Sequence, residues 1–131
     1  MASAPAFTAT PKVGCLNTAS ANTARDGSGS IGTVVTMGSS GGRLEYIEVK
    51  AEDDLADCIV IIWLSFDGGT TWRIYREIDV GDGANADNTT PGYWSTLTVG
   101  RMLPASCVVG ATITVAPTTG DVNVFGFAGD F

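Results

Sequence analysis

The chain has 131 residues, with 14 Asp and Glu against 7 Lys and Arg (net charge −7), no histidine and 17 glycines. That length supports one domain with one core. The missing histidine removes Ser–His–Asp and Cys–His pairs and imidazole metal ligands, and the acidic balance argues against a nucleic-acid partner, which needs a basic face.

With 44% hydrophobic and 16% charged residues, disorder is excluded on composition, and no apolar run approaches the ~20 residues of a membrane span. Residues 1–12, rich in Ala, Pro, Thr and Ser, read as an extended N-terminal arm with Pro5, Phe7 and Pro11 as candidate contacts to a neighbour; residues 13–131 read as a single β-sandwich domain. Met1-Ala2-Ser3-Ala4-Pro5-Ala6 lacks the basic start and apolar stretch of a signal peptide, so no export is implied. Residues 20–30 form a polar, Gly-rich loop in which Arg25-Asp26-Gly27 reads as a salt bridge or turn.

Strand signals follow one another. Ile31–Met37 is short and β-branched, and 38–42 is a Gly/Ser turn. Arg43–Ala51 alternates, with Ile47 and Val49 on one face and Glu48 and Lys50 on the other. An acidic connection leads to Cys58–Phe66, which is apolar on both faces: Ile59, Ile61 and Trp63 on one, Val60, Ile62 and Leu64 on the other. A sheet with one wet face alternates, so this strand must be covered twice, the second time by a loop, by the arm or by another subunit. Val60, Ile62 and Leu64 are therefore candidate contacts to a subunit or partner. Trp72–Val80 places Trp72, Ile74, Ile78 and Val80 on one face, and Arg76 interrupts it, which predicts a bulge or an exposed edge. After a polar loop over 81–92, Tyr93–Val99 is a strand, Leu103-Pro104-Ala105 a corner, Ala111–Pro117 a strand, 118–121 a turn and Val122–Ala128 the last strand. About eight strands, with turns every 8–12 residues and no helical periodicity, predict an all-β antiparallel sandwich.

Few motifs carry chemistry. Ser65, Asp67, Gly69, Thr71 and Trp72 fit the Asp-box pattern S-x-D-x-G-x-T-W, a structural staple for a hairpin rather than a catalytic device. The acidic residues around 52–57 and 79–87 lack the regular spacing and closing Glu of a calcium loop and read as solvated. Cys15, Cys58 and Cys107 match neither a disulfide framework nor a zinc knuckle, and read as reduced thiols packed like small apolar residues. Tyr93 and Trp94, after the long loop, are candidate ligand-facing aromatics. Together these imply no enzyme, no cofactor and no metal.

The whole chain resembles the capsid decoration, or cement, proteins of tailed bacteriophages. The resemblance rests on Thr8-Ala-Thr-Pro11-Lys-Val-Gly14, the loop text from Thr18 to Gly29, Arg43-Leu-Glu-Tyr-Ile47, Asp67-Gly-Gly-Thr-Thr-Trp-Arg-Ile-Tyr-Arg-Glu-Ile78, the Leu103-Pro104-Ala105 corner and Gly129-Asp130-Phe131. It implies a jelly-roll-like sandwich that forms homotrimers and binds the major capsid protein on the virion surface after assembly in the host cytoplasm, with no nucleic-acid or membrane partner. A carbohydrate-binding sandwich on a phage tail or fibre is the alternative, resting on Tyr93 and Trp94.

Overall fold

The computed structural model describes residues 8–80 and 86–131. Its elements are all strands: β1 Thr10–Thr18, β2 Gly32–Thr36, β3 Gly42–Ala51, β4 Cys58–Ser65, β5 Arg73–Val80, β6 Trp94–Leu103, β7 Val108–Ile113 and β8 Val122–Asp130. They form two four-stranded sheets, in the orders β1-β8-β3-β6 and β2-β7-β4-β5. Strand pairs β1/β8, β2/β7, β3/β6 and β4/β5 are all antiparallel. The chain is thus one long hairpin, bent at residues 66–72 and rolled into two layers, which is the jelly-roll arrangement of a β-sandwich.

The main core lies between the layers. Val60, Ile62 and Leu64 of β4 pack in one cluster with Ile47 and Val49 of β3 and Val122 and Val124 of β8. Val60 and Ile62 are completely buried and Leu64 nearly so. These three were expected at a subunit or capsid contact; they face the opposite sheet of the same chain and are unavailable to a partner.

The other face of β4 is covered within the chain as well. Ile61 and Trp63 pack with Trp72 and Val108, flanked by Ile31, Ile59 and Ile74, in a second cluster outside the β2-β7-β4-β5 sheet. Gly110 makes room for it: a Cβ there would stand 2.8 Å from the Trp72 ring and 2.9 Å from the Gly32 carbonyl. The 20–30 loop lies over Trp72, since a Cβ on Gly27 would meet the Trp72 carbonyl at 2.9 Å. The loop is pinned by Asn22, whose backbone N–H donates to Ile113 (2.8 Å) and whose amide donates to the Ser28 and Ser30 carbonyls. Arg25 bridges to Glu77 at 2.6 Å, and Asp26 accepts from Ser28, so the Arg25-Asp26-Gly27 stretch is both salt bridge and turn.

The interruption at Arg76 is a bulge on an edge strand. Ile62 pairs with Arg76 and Trp63 with Ile74, leaving Tyr75 extra. The extra residue flips the side-chain alternation. Trp72 and Ile74 therefore join the second core, and Ile78 and Val80 the main one, instead of sharing one face.

Strand β1 begins inside the stretch expected to be an arm: Thr10, Pro11 and Lys12 pair with Asp130, Gly129 and Ala128. Its half-buried positions, Lys12, Gly14, Leu16 and Thr18, include one large apolar side chain, so it carries no alternation to detect. Strand β7 starts earlier than expected, at Val108, and ends at Ile113, beyond which Val115 is exposed. Pro5 and Phe7 and the first half of the 81–92 loop lie outside the described residues.

Candidate interaction face

The solvent side of the β1-β8-β3-β6 sheet carries an aromatic and aliphatic stripe. Along β8, Val122, Val124 and Gly126 are buried, which turns Asn123, Phe125 and Phe127 outward. Register places Val13 and Tyr46 on either side of Phe127, and Cys15 and Glu48 on either side of Phe125. Thr98 and Thr96 continue the same rows on β6, opposite Tyr46 and Glu48. Phe125 and Phe127 stack with ring centres 6.2 Å apart. Val13 is 62% and Tyr46 45% exposed. Between them runs an open groove of ≈ 320 Å³ bordered by Pro11, Lys12, Val13, Tyr46, Phe127 and Ala128 together with Glu45 and Glu48.

Charge around this sheet is mostly internally satisfied. Lys12 Nζ bridges to Asp130 and donates to the Thr36 carbonyl, both at 2.7 Å. The Lys12 ammonium, then the Gly38 N–H, hold the Asp130 carboxyl below its ordinary range. Arg43 pairs with Glu45. Asn17 and Asn123 both donate to Glu52 at the far end. Cys15 is an exposed thiol on this surface rather than a packed one, pushed up first by partial burial and then by Glu52. Cys58 and Cys107 are free and buried, as expected of small apolar residues.

The Asp-box residues converge on one turn. Ser65 Oγ donates to Asp67 Oδ1 and accepts the Gly69 N–H, both at 2.8 Å. Asp67 Oδ1 also accepts the N–H groups of Thr71 (2.8 Å) and Thr70 (3.2 Å). Gly68 and Gly69 supply two consecutive left-handed residues (φ 79° and 95°), a conformation that side chains disfavour. The Thr71 N–H and hydroxyl, then the Ser65 hydroxyl, hold the Asp67 carboxyl at about 2. Trp72 leaves the turn into the second core. The assembly is a staple at the bend of the rolled hairpin.

Tyr93 and Trp94 diverge. Trp94 is 61% exposed, whereas Tyr93 packs against the main core and donates its hydroxyl to the Asp79 carbonyl at 3.5 Å. Among the described residues, no three Cys, Asp or Glu side chains come together as a metal site. Asp87 accepts the N–H groups of Thr89 and Thr90 within its own loop, and Asp54 accepts that of Ala86 from the neighbouring loop, so both carboxylates organise loop backbone.

The aromatic stripe was not anticipated. The pattern Val122-Asn-Val-Phe-Gly-Phe127 is apolar in both registers, and periodicity alone does not say which set faces out. The signal was present in size: the layers lie close at β8, where even a Cβ on Gly126 would stand 2.9 Å from a Val35 methyl, so the small set Val122, Val124 and Gly126 faces in and the two Phe rings face out.

No protein-family model matches the chain, and no curated protein matches it. Among solved structures, a chain from the acidic stable capsid structure of Helicobacter pylori bacteriophage KHP30 superposes with a TM-score of 0.59 at 12% identity, over 93% of this chain and 88% of that one. At that identity the likeness is one of fold: the rolled eight-strand sandwich is shared with a chain of a phage capsid structure.

Proposed function

We propose that this chain is a structural, non-catalytic virion protein of a bacteriophage, a decoration or cement protein that binds the outside of the major capsid shell as a homotrimer and stabilises it. The observation that carries the reading is the apolar stripe of Val13, Phe127, Tyr46 and Phe125 on an otherwise acidic chain. A sheet face with exposed aromatic rings marks a protein contact. The near full-length likeness to a chain of a phage capsid structure supports the setting. No step of this function needs a nucleophile, a cofactor or a metal. A protein that binds the assembled shell and not its dissociated subunits stabilises the shell by mass action. Net charge −7 keeps it off packaged nucleic acid.

A carbohydrate platform is less well supported, because the expected pair of rings is reduced to Trp94: Tyr93 is turned into the core.

The test is sedimentation of the purified chain with purified shells, followed by thermal disruption of the shells. Association with a raised disruption temperature is expected. Absence from shells, or association with tails alone, overturns the reading.

A further inference from the structure

The two sheets end in four edge strands, β1, β6, β2 and β5. An edge presents a row of unpaired backbone N–H and C=O groups, and stable proteins guard it with charge, proline, bulges or shortness. Three of the four are guarded. Strand β1 carries Pro11 and the paired Lys12. Strand β2 is five residues long, and its ladder shifts register between Thr33 and Val35. Strand β5 is bulged and bears Arg73, Arg76, Glu77 and Asp79.

Strand β6 has none of these guards over its first half. From Trp94 to Thr98 it pairs regularly with β3 and contains neither charge nor proline; the register shift with β3 comes only beyond Thr98. Among the described residues, no backbone group of 94–98 bonds outside this ladder. Its inward side chains are also under-covered. Leu97 is only half-buried, although its cross-strand neighbour Ile47 is fully buried.

We propose that β6 is a self-pairing edge, which joins to β6 of a second copy in an antiparallel, two-fold arrangement centred on Thr96. Charge selects both the partner and the direction. The strand starts just after a loop that carries Asp87 and is tied through Ala86 to Asp54, with Lys50 the one cation opposite Trp94; at its other end it passes Arg101, near the Glu45-paired Arg43, before closing at Leu103. Antiparallel pairing sets the basic end of each copy against the acidic end of the other, and parallel pairing would place like ends together. In the centred register Thr96 faces Thr96, and Trp94 faces Thr98. Threonine pairs and aromatic–β-branched pairs are both favourable cross-strand combinations. The two outer faces become one continuous sheet surface, and Leu97 gains cover. Because the contact is isologous, each copy uses the same patch. Chains already gathered into a trimer through other surfaces keep the edge free to join a neighbouring trimer. The contact does not depend on shell binding, so either can fail alone.

Two measurements on the full-length chain test it. The first is oxidative crosslinking of Thr96→Cys in a Cys15→Ser background, with Thr98→Cys and Asn17→Cys as position controls. Residues directly opposite in an antiparallel pair lie within disulfide range. A covalent dimer that forms much faster at position 96 than at 98 or 17 is expected; equal rates at the three positions overturn the proposal. The second is native mass spectrometry of Thr96→Lys and Thr96→Glu, alone and mixed. Like charges opposite each other weaken pairing, so each variant alone should self-associate at least about fivefold more weakly than wild type, and the mixture should recover. Circular dichroism and melting establish that both variants fold, as expected for an exposed position. Unchanged association of the single variants, or no recovery on mixing, overturns the proposal.

Discussion

The indole N–H of Trp63 donates to the hydroxyl of Thr112 at 2.9 Å, across the β4–β7 ladder and inside the second core. Trp63 is wholly buried and Thr112 almost so. A buried donor stripped of its acceptor keeps its desolvation penalty. Thr112→Val therefore costs about 1–3 kcal/mol in urea unfolding, more than the loss of an average hydrogen bond. Thr112→Ser, which keeps the hydroxyl, recovers most of it.

Asp67 governs part of the acid limb of stability. Its carboxyl is held at about 2 in the folded chain, below the 3.8 of an ordinary aspartate. A depressed folded value means stabilisation that is fully present above about pH 4 and lost as pH falls toward 2. The melting-temperature gap between wild type and Asp67→Ala is expected to be widest at neutral pH and to close across that interval. A gap that stays constant down to pH 2 would show that the carboxylate charge is not what secures the turn.

Gly110→Ala tests the seat of Trp72. The new methyl would stand 2.8 Å from the ring and 2.9 Å from both the Gly32 carbonyl and an Ile31 methyl. With backbone on one side, the ring and Ile31 must yield. Overpacking of this kind costs about 1–3 kcal/mol. Tryptophan fluorescence is expected to shift to the red as the second core opens, with β-sheet circular dichroism retained.

Much of this architecture was readable in the residues. Double-sided apolarity from Cys58 to Phe66 announced a strand covered twice, and Arg76 announced a bulge or an exposed edge, both of which are present. What covers β4 was not readable. Trp72 shares a parity with Ile78 and Val80 on paper, and one extra residue at Tyr75 reverses it in space. The same limit moved Val60, Ile62 and Leu64 from an imagined surface to the main core. Strand β1 escaped notice because its inward side holds Lys12 and Gly14, and the aromatic stripe because both registers of β8 are apolar. Apart from β1 and the bounds of β7, each miss concerns facing rather than strand content, and facing is set by long-range pairing.

Lys12→Met should loosen β1 selectively. The ammonium anchors the strand to Asp130 and to the Thr36 carbonyl, and thus to both sheets. Amide exchange across β1 is expected to speed up while β4 amides stay protected. Uniform acceleration would mean that the strand does not open on its own.

On the interaction face, Val13→Ser and Tyr46→Ser alter exposed side chains. Unfolding free energies should stay within about 0.5 kcal/mol of wild type. Shell binding should fall by tenfold or more for the pair, since a few apolar anchors dominate such interfaces. Binding at full strength would remove this face from the shell contact.

The rolled hairpin also orders events in time. Its central turn, stapled by Asp67, joins neighbours in sequence, so β4 and β5 can pair as soon as both exist. Each further pair closes a longer loop, and the pairing of Thr10 with Asp130 closes the longest. Chains dominated by such remote pairings fold slowly. During synthesis β1 emerges first and stays single until β8 leaves the ribosome. The Lys12–Asp130 bridge therefore closes the outermost pair of the rolled hairpin, the one whose loop is longest and whose closure comes last.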